Sequence, residues 1–245
     1  MPARRFVLSW PALLITLTVI ALCARLALWQ LERGDEKAAL AQQQTERQQL
    51  PLQPLARVLA ADDPSQFPLA LRGEVDNQHT FLLDNRIIDG VAGYHVLNPL
   101  HTDSGHWLLL NRGWIAGGVD RDTLPTIPPL SNPVTVPGIS YRYSDRVLTL
   151  AEDDLSAPSW PLRIQKVDID AFSDLLGVDL APIEVRADPQ ASLETGEQFV
   201  RRWQDSRLGP ARHYAYAWQW LALALAAAII FVAASLRSKS GEHHQ

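Results

Sequence analysis

The chain has 245 residues, 47% of them hydrophobic, and a formal net charge of -5. That balance excludes a strongly basic nucleic-acid binder, a disordered chain and a polytopic transporter. One cysteine (Cys23) excludes an intrachain disulfide framework and any CxxC site, and a single methionine (Met1) excludes a thioether cluster for copper.

The apolar residues gather at the two ends. After a short tail, residues 1–8, nineteen uncharged residues run from Phe6 to Ala24 between Arg5 and Arg25. A helix rising 1.5 Å per residue needs about twenty apolar residues to cross ~30 Å of hydrocarbon, so residues 9–30 are predicted as a first transmembrane helix. Trp29 suits its far interface, with Arg25 snorkelling below it. The alternative, a cleaved signal peptide, conflicts with an uncharged run longer than the usual ~7–15-residue core, and Leu22 before Cys23 spoils a lipoprotein-type processing site. No Ser- and Arg-rich presequence precedes the span, which points to a bacterial inner membrane.

Residues 31–212 are expected to fold outside the cytoplasm, in the periplasm. Glu32 to Gln49, rich in Ala, Gln, Glu and Lys, continues the first span as a solvated helix before Pro51. A short helix follows over Pro54 to Ala61. The pattern then changes to strands: Ala70 to Val75, Thr80 to Arg86, Tyr94 to Leu100 and Trp107 to Arg112. Turn chemistry at Asp76-Asn77, Asp89-Gly90 and Asp103-Ser104-Gly105 separates them. Beyond a proline-rich loop, Val134 to Arg142 reads as a strand with a bulge at Pro137-Gly138, and Leu162 to Val167 as another. Asp168 or Asp170 caps a helix that runs through Leu176 and stops at Gly177; Ile183 to Arg186 closes the sheet. The fold class is thus a membrane α+β protein, with terminal transmembrane helices flanking a mainly antiparallel β domain, a small barrel being one form of it.

Twenty-three uncharged residues from Tyr214 to Leu236 give the second span, set at residues 213–235, with Tyr214, Tyr216, Trp218 and Trp220 at its outer interface. Its alanines permit close approach of another helix. The tail 236–245 carries Arg237 and Lys239, and with Arg4 and Arg5 these basic residues place both tails in the cytoplasm.

No G-x-S-x-G, HExxH, P-loop or G-x-G-x-x-G motif occurs. Ser156 and Ser159 lack a local base, and His101 and His106 straddle a turn as a metal pair without a third ligand. His79 and His95 carry no readable role, and His243 and His244 belong to the tail. His213 stands out as the last ionisable residue before the second membrane run. Helical spacing puts Tyr216, Ala217 and Trp220 on its face. Two readings stay open: an axial ligand to haem iron, or an interfacial anchor. Asn85-Arg86 and Asn111-Arg112 end two strands alike, and a meander would bring Arg86 and Arg112 out at one end of the sheet, ~10 Å apart. There they would clamp carboxylates, such as haem propionates together with Arg207 or Arg212, or else pair locally with Asp84, Asp89 or Asp120.

Several segments resemble the Surfeit locus protein one family. Trp29-Gln30-Leu31-Glu32-Arg33 with Lys37 and Leu40 is similar to its entry segment; Gly93-Tyr94-His95-Val96 with Pro99-Leu100 is similar to its G-Y-H-V…P-L block. Leu109-Leu110-Asn111-Arg112-Gly113-Trp114-Ile115 resembles its V-N-R-G-W-V signature, and His213 to Trp220 the opening of its second membrane helix. Pro125 to Arg163 does not align. The resemblance implies a non-enzymatic assembly factor for haem–copper cytochrome c oxidase, acting on haem a in the large catalytic subunit with haem A synthase. It carries the haem-ligand role, and hence the metal site, to His213. A haem-independent scaffold is the alternative; a membrane-anchored hydrolase using Asp84, Asp89 or Asp120 is a third.

Overall fold

The computed structural model describes residues 4–6, 8–118, 123–143, 155–193, 199–203 and 209–238. Asp120, Arg207, Lys239, His243 and His244 lie outside the described residues. In chain order the elements are β1 (Arg4–Phe6), α1 (Trp10–Gln48), α2 (Leu55–Leu59), β2 (Pro68–Val75), β3 (Phe81–Ile88), β4 (Val91–Thr102) and β5 (Trp107–Ala116). They continue with β6 (Val134–Tyr141), β7 (Leu162–Ile164), α3 (Ile169–Leu176), β8 (Leu180–Ala187), α4 (Pro210–Ser235) and β9 (Leu236–Ser238). Two bodies result: Met1–Gln43 with Ser206–Gln245, and Gln44–Asp205.

The first body is a helical pair. Both α1 and α4 are long and apolar enough to cross a membrane. Their buried residues, Cys23, Ala27, Gly34, Ala217 and Ser235, are all small, which lets two backbones approach closely. Large apolar side chains such as Leu14, Trp218, Leu225 and Ile230 point outward, where only lipid or a partner helix would cover them. The strands β1 and β9 pair antiparallel, Arg5 opposite Arg237, so both tails leave at the same end of the pair. As expected, helix α1 continues past the predicted span to Gln48, through the Ala-, Gln- and Glu-rich stretch whose side chains lose little freedom in a helix.

The second body is a closed barrel. Its strands follow the order β2-β6-β8-β5-β4, and β4 returns to β2 through the Gly73–Thr102 to Val75–Leu100 register. Closure leaves these five strands without a free edge along the ring. Strand β4 is long enough to pair with β2 at one end and β3 at the other, so β3 and β7 extend the sheet beyond the barrel. Most pairings are antiparallel; β5–β8 and β3–β7 are parallel and arise from the long connections after β5 and β6. Pro137 and Gly138 form no bulge. They pair in regular register with Ala70 and Leu69, and Pro137 lies just beyond the last β8 partner, Ala187, where a missing N–H does not break the ladder.

Alternation along the strands separates two apolar layers. Inside the ring pack Leu69, Leu71, Leu100, Leu108, Leu110, Val136 and Val185, with α2 plugging one end through Leu55 and Val58. On the outer face, Phe81, Leu83, Leu97 and Leu109 are covered by α3, whose Phe172 ring stacks on Phe81 at 4.3 Å between centroids. Asp168 caps α3 by accepting from Ala171 N, and Gly177 ends it in the left-handed conformation. Because Phe172 is 1% exposed, Phe172→Ala should cost about 3–5 kcal/mol, read as a lowered thermal midpoint of the detergent-solubilised chain by near-UV circular dichroism.

Candidate functional site

His213 sits one turn into α4, which Pro210 opens at its first position. Its Nδ1 donates to Gln30 Oε1 at 2.8 Å. One residue on, Tyr214 donates its hydroxyl to Asp35 Oδ1 at 2.7 Å. The Tyr214 ring lies against Gly34, where an added Cβ would come within 2.6 Å of it and force the ring to shift. The imidazole is therefore held by a bond to one nitrogen, and a neutral ring carries its lone pair on Nε2. Of the neighbours expected on its face, Ala217 is buried and Trp220 half-buried, while Tyr216 is 46% exposed and turns away. Gln30, which fixes the imidazole, was not singled out from the sequence; its place beside Trp29, one membrane thickness along α1, is the signal that could have found it.

The second concentration of polar groups lies on the outer face of the barrel. Residues opposite one another in a ladder share a face, so the registers Leu83–His95–Trp114, Arg86–Gly93 and Leu97–Asn111–Arg186 assign Arg86, His95, Asn111, Trp114, Glu184 and Arg186 to one side. The Glu184 carboxylate is fully buried. It accepts from Asn111 Nδ2 at 3.1 Å, Tyr143 Oη at 2.5 Å and Arg186 Nε at 2.8 Å. The Arg186 guanidinium lies 3.3 Å from the centre of the Tyr141 ring, and Trp203, donating to Ala187 O at 2.8 Å, stands edge-on to His95. Burial and the adjacent Glu184 push the Tyr143 hydroxyl well above its usual range. Burial opposes the Arg186 charge, but Glu184 and Tyr143 outweigh it and raise its pKa. Sequence reading missed Glu184, Tyr143 and Trp203 and left His95 without a role. The signal was Glu184-Val185-Arg186, two opposite charges two residues apart in an otherwise apolar strand.

Arg86 and Arg112 do not emerge together. The ladder slips by one residue between Leu83 and Arg86, with Asn85 at φ +58°, and this bulge turns Arg86 onto the His95 face. In β5 Arg112 keeps the inward direction of Leu110, and a second slip beside it puts Gly113 on that same face. There its guanidinium is fully buried, donating to Asn98 Oδ1 at 3.3 Å and Pro128 O at 2.8 Å above the Phe199 ring. The motif around it is explained by backbone passage. Gly113, at φ +129°, receives the crossing of Phe199 and Arg201; its N–H donates to Asn111 Oδ1, and Val200 pairs with Trp114. Arg112 thus serves the barrel, and Arg86 stands apart from it.

The remaining candidates are committed locally. His101 stacks on Trp107, His106 contacts Ser104, and His79 pairs with Asp76. Asp89 is held bidentately by Arg202 at 2.8 and 2.7 Å, and Asp84 accepts from Asn85 N. No group of three or more His, Cys, Asp or Glu is placed to hold a metal ion among the described residues.

Burial, reinforced by Arg86 and Arg186, holds the His95 pKa down to about 3. The folded ring is therefore neutral where the unfolded one, with a pKa near ~6.5, takes a proton. The His95 contribution is complete above pH ~6.5 and is lost as pH falls toward 3, at no more than about 1.4 kcal/mol per pH unit. His95→Gln should flatten the decline of the thermal midpoint between pH 6.5 and 5 relative to wild type.

The model of the SURF1 family matches residues 17–225, a stretch that takes in most of α1, the whole barrel and most of α4. A SURF1-like protein from Dictyostelium discoideum is 53% identical over 47 residues, a match that spans 19% of this chain and 17% of that relative's length. A family match over most of the chain, beside two helices fit to span a membrane and a barrel between them, assigns the protein to the SURF1 family.

Proposed function

We propose that this chain is a cytochrome c oxidase assembly factor of a bacterial inner membrane, with its barrel in the periplasm, that assists placement of haem a in the large catalytic subunit. Membership of the SURF1 family supports the assembly role, and the resemblance of its motifs to those of oxidase assembly factors supports the choice of partner. Haem A synthase, which makes the haem, is the second partner in this reading. The lipid bilayer is the third.

The observation that carries the haem role is the bond from His213 Nδ1 to Gln30 Oε1. A histidine that ligates a metal usually gives its other ring nitrogen to a fixed acceptor, which sets the tautomer and raises the basicity of the ligating nitrogen. His213 has that arrangement, so its Nε2 would be free to hold haem iron. When bound, haem would supply the iron whose open coordination His213 completes. Gln30 orients the ring, and the half-buried Trp220 two turns along α4 offers an apolar surface beside it.

Both tails leave the helical pair at one end, and α1 needs about twenty residues, ~30 Å, to pass from Trp10 to Gln30. The Gln30–His213 bond thus lies one hydrocarbon thickness from the tails, at the opposite interface. With the basic tails cytoplasmic, that interface is periplasmic.

Protein purified in detergent from haem-a-producing cells should show a Soret band that His213→Ala abolishes and Gln30→Leu weakens or shifts. A colourless wild-type chain at every expression level would overturn the haem role. Co-purification of the oxidase subunit that survives His213→Ala in that case would leave a scaffold.

A further inference from the structure

Among the described residues, the polar row on the outer face of the barrel contains one cation with nothing to answer it. Arg186 is matched by Glu184, and Arg112 lies on the other face. Arg86 makes no side-chain hydrogen bond or ion pair among the described residues, and its Nε is shielded from solvent without a partner. A guanidinium that has given up water at one nitrogen and gained no acceptor is an energetic cost. The fold incurs that cost by construction. In regular register Arg86 would face the other way; the bulge with Asn85 at φ +58° brings it to the side of His95. Bulges of this kind re-aim side chains beside functional sites. Trp114 Nε1 donates to Arg86 O at 2.8 Å and pins the backbone there.

We propose that Arg86 is the anchor of a binding site for a carboxylate group, on the barrel face formed by His95, Trp114, Arg186 and Trp203. The proposal does not depend on haem ligation by His213. The charges of Arg86, Arg186 and Glu184 leave one positive charge over, which a single carboxylate neutralises; a phosphate dianion would overshoot it and meet Glu184. The terminal edge of a guanidinium, its two Nη–H groups, presents two parallel donors at the spacing of two carboxylate oxygens, and a grip there does not require access to the shielded Nε. His95, held neutral beside it, adds a donor without adding a charge. The carboxylate belongs either to a small molecule or to an acidic side chain of a partner polypeptide.

The full chain in detergent, at fixed ionic strength, is titrated with sodium propionate and with an N-acetylated, C-amidated pentapeptide containing one glutamate, chloride serving as the blank. Binding is read by calorimetry. Saturable binding of either probe that weakens about tenfold or more in Arg86→Gln, and stays unchanged when the exposed Arg57 of α2 is replaced (Arg57→Gln), is the expected result. Propionate as tight as the peptide identifies a small-molecule carboxylate; binding of the peptide alone identifies a partner's acidic side chain. A second reading needs no variant: the bound probe should slow phenylglyoxal modification of Arg86, mapped by mass spectrometry, and leave Arg57 unaffected. No saturable binding above chloride, or binding that spares neither Arg86→Gln from equality with wild type nor Arg86 from modification, overturns the proposal.

Discussion

The buried carboxylate of Glu184 is the constraint around which the barrel is arranged. A carboxylate removed from water is tolerated only when its oxygens are taken up by donors, and here three elements must be in place to supply them. Asn111 comes from β5, Arg186 from β8 itself and Tyr143 from the residues just after β6. Those strands are neighbours in the closed ring, so satisfying one charge also fixes the parallel register of β5 with β8 and the antiparallel register of β6 with β8. A one-residue slip of β8 would carry Glu184 into the apolar interior, where Val185 now sits among leucines. The charge therefore specifies which face is which, while burial of the apolar residues supplies the stability.

The local elements were legible in the sequence because each has a cause within a few residues. Alternation marks β2 and β6, the Asp168 cap and Gly177 mark both ends of α3, and uninterrupted apolar runs mark the membrane portions of α1 and α4. What was not legible is non-local. Nothing near Gly73 says that β2 will meet the end of β4 and close the ring, and nothing near Leu162 says that β7 will lie parallel to β3. The site divides the same way. His213 was visible from its position at the edge of an apolar run, whereas Gln30, 183 residues earlier, becomes its partner only when the two helices pair.

The repeated Asn-Arg shows how far a sequence pattern can mislead about geometry. Both copies end a strand segment, and a meander does run between them, so strand direction alone would send the two arginines to one end of the sheet. The direction argument omits the pleat. Each copy coincides with an extra residue in the ladder, but the extra residue differs: in β3 it precedes the arginine, and in β5 it is the arginine. One insertion restores Arg86 to the outer face; the other leaves Arg112 inside with Gly113 beside it. Identical dipeptides thus reach opposite environments through a shift of one position, and the environments set their chemistry. Arg112, surrounded by Asn98, the Pro128 carbonyl and the Phe199 ring, is spent on holding the barrel. Arg86, turned toward His95, has a shielded Nε without a partner among the described residues. Among the described residues of the barrel, the buried arginines are matched by Glu184 or hydrogen-bonded to carbonyls, while the backbone re-aims the half-buried Arg86 to the outer face, and the proposed carboxylate site rests on that asymmetry.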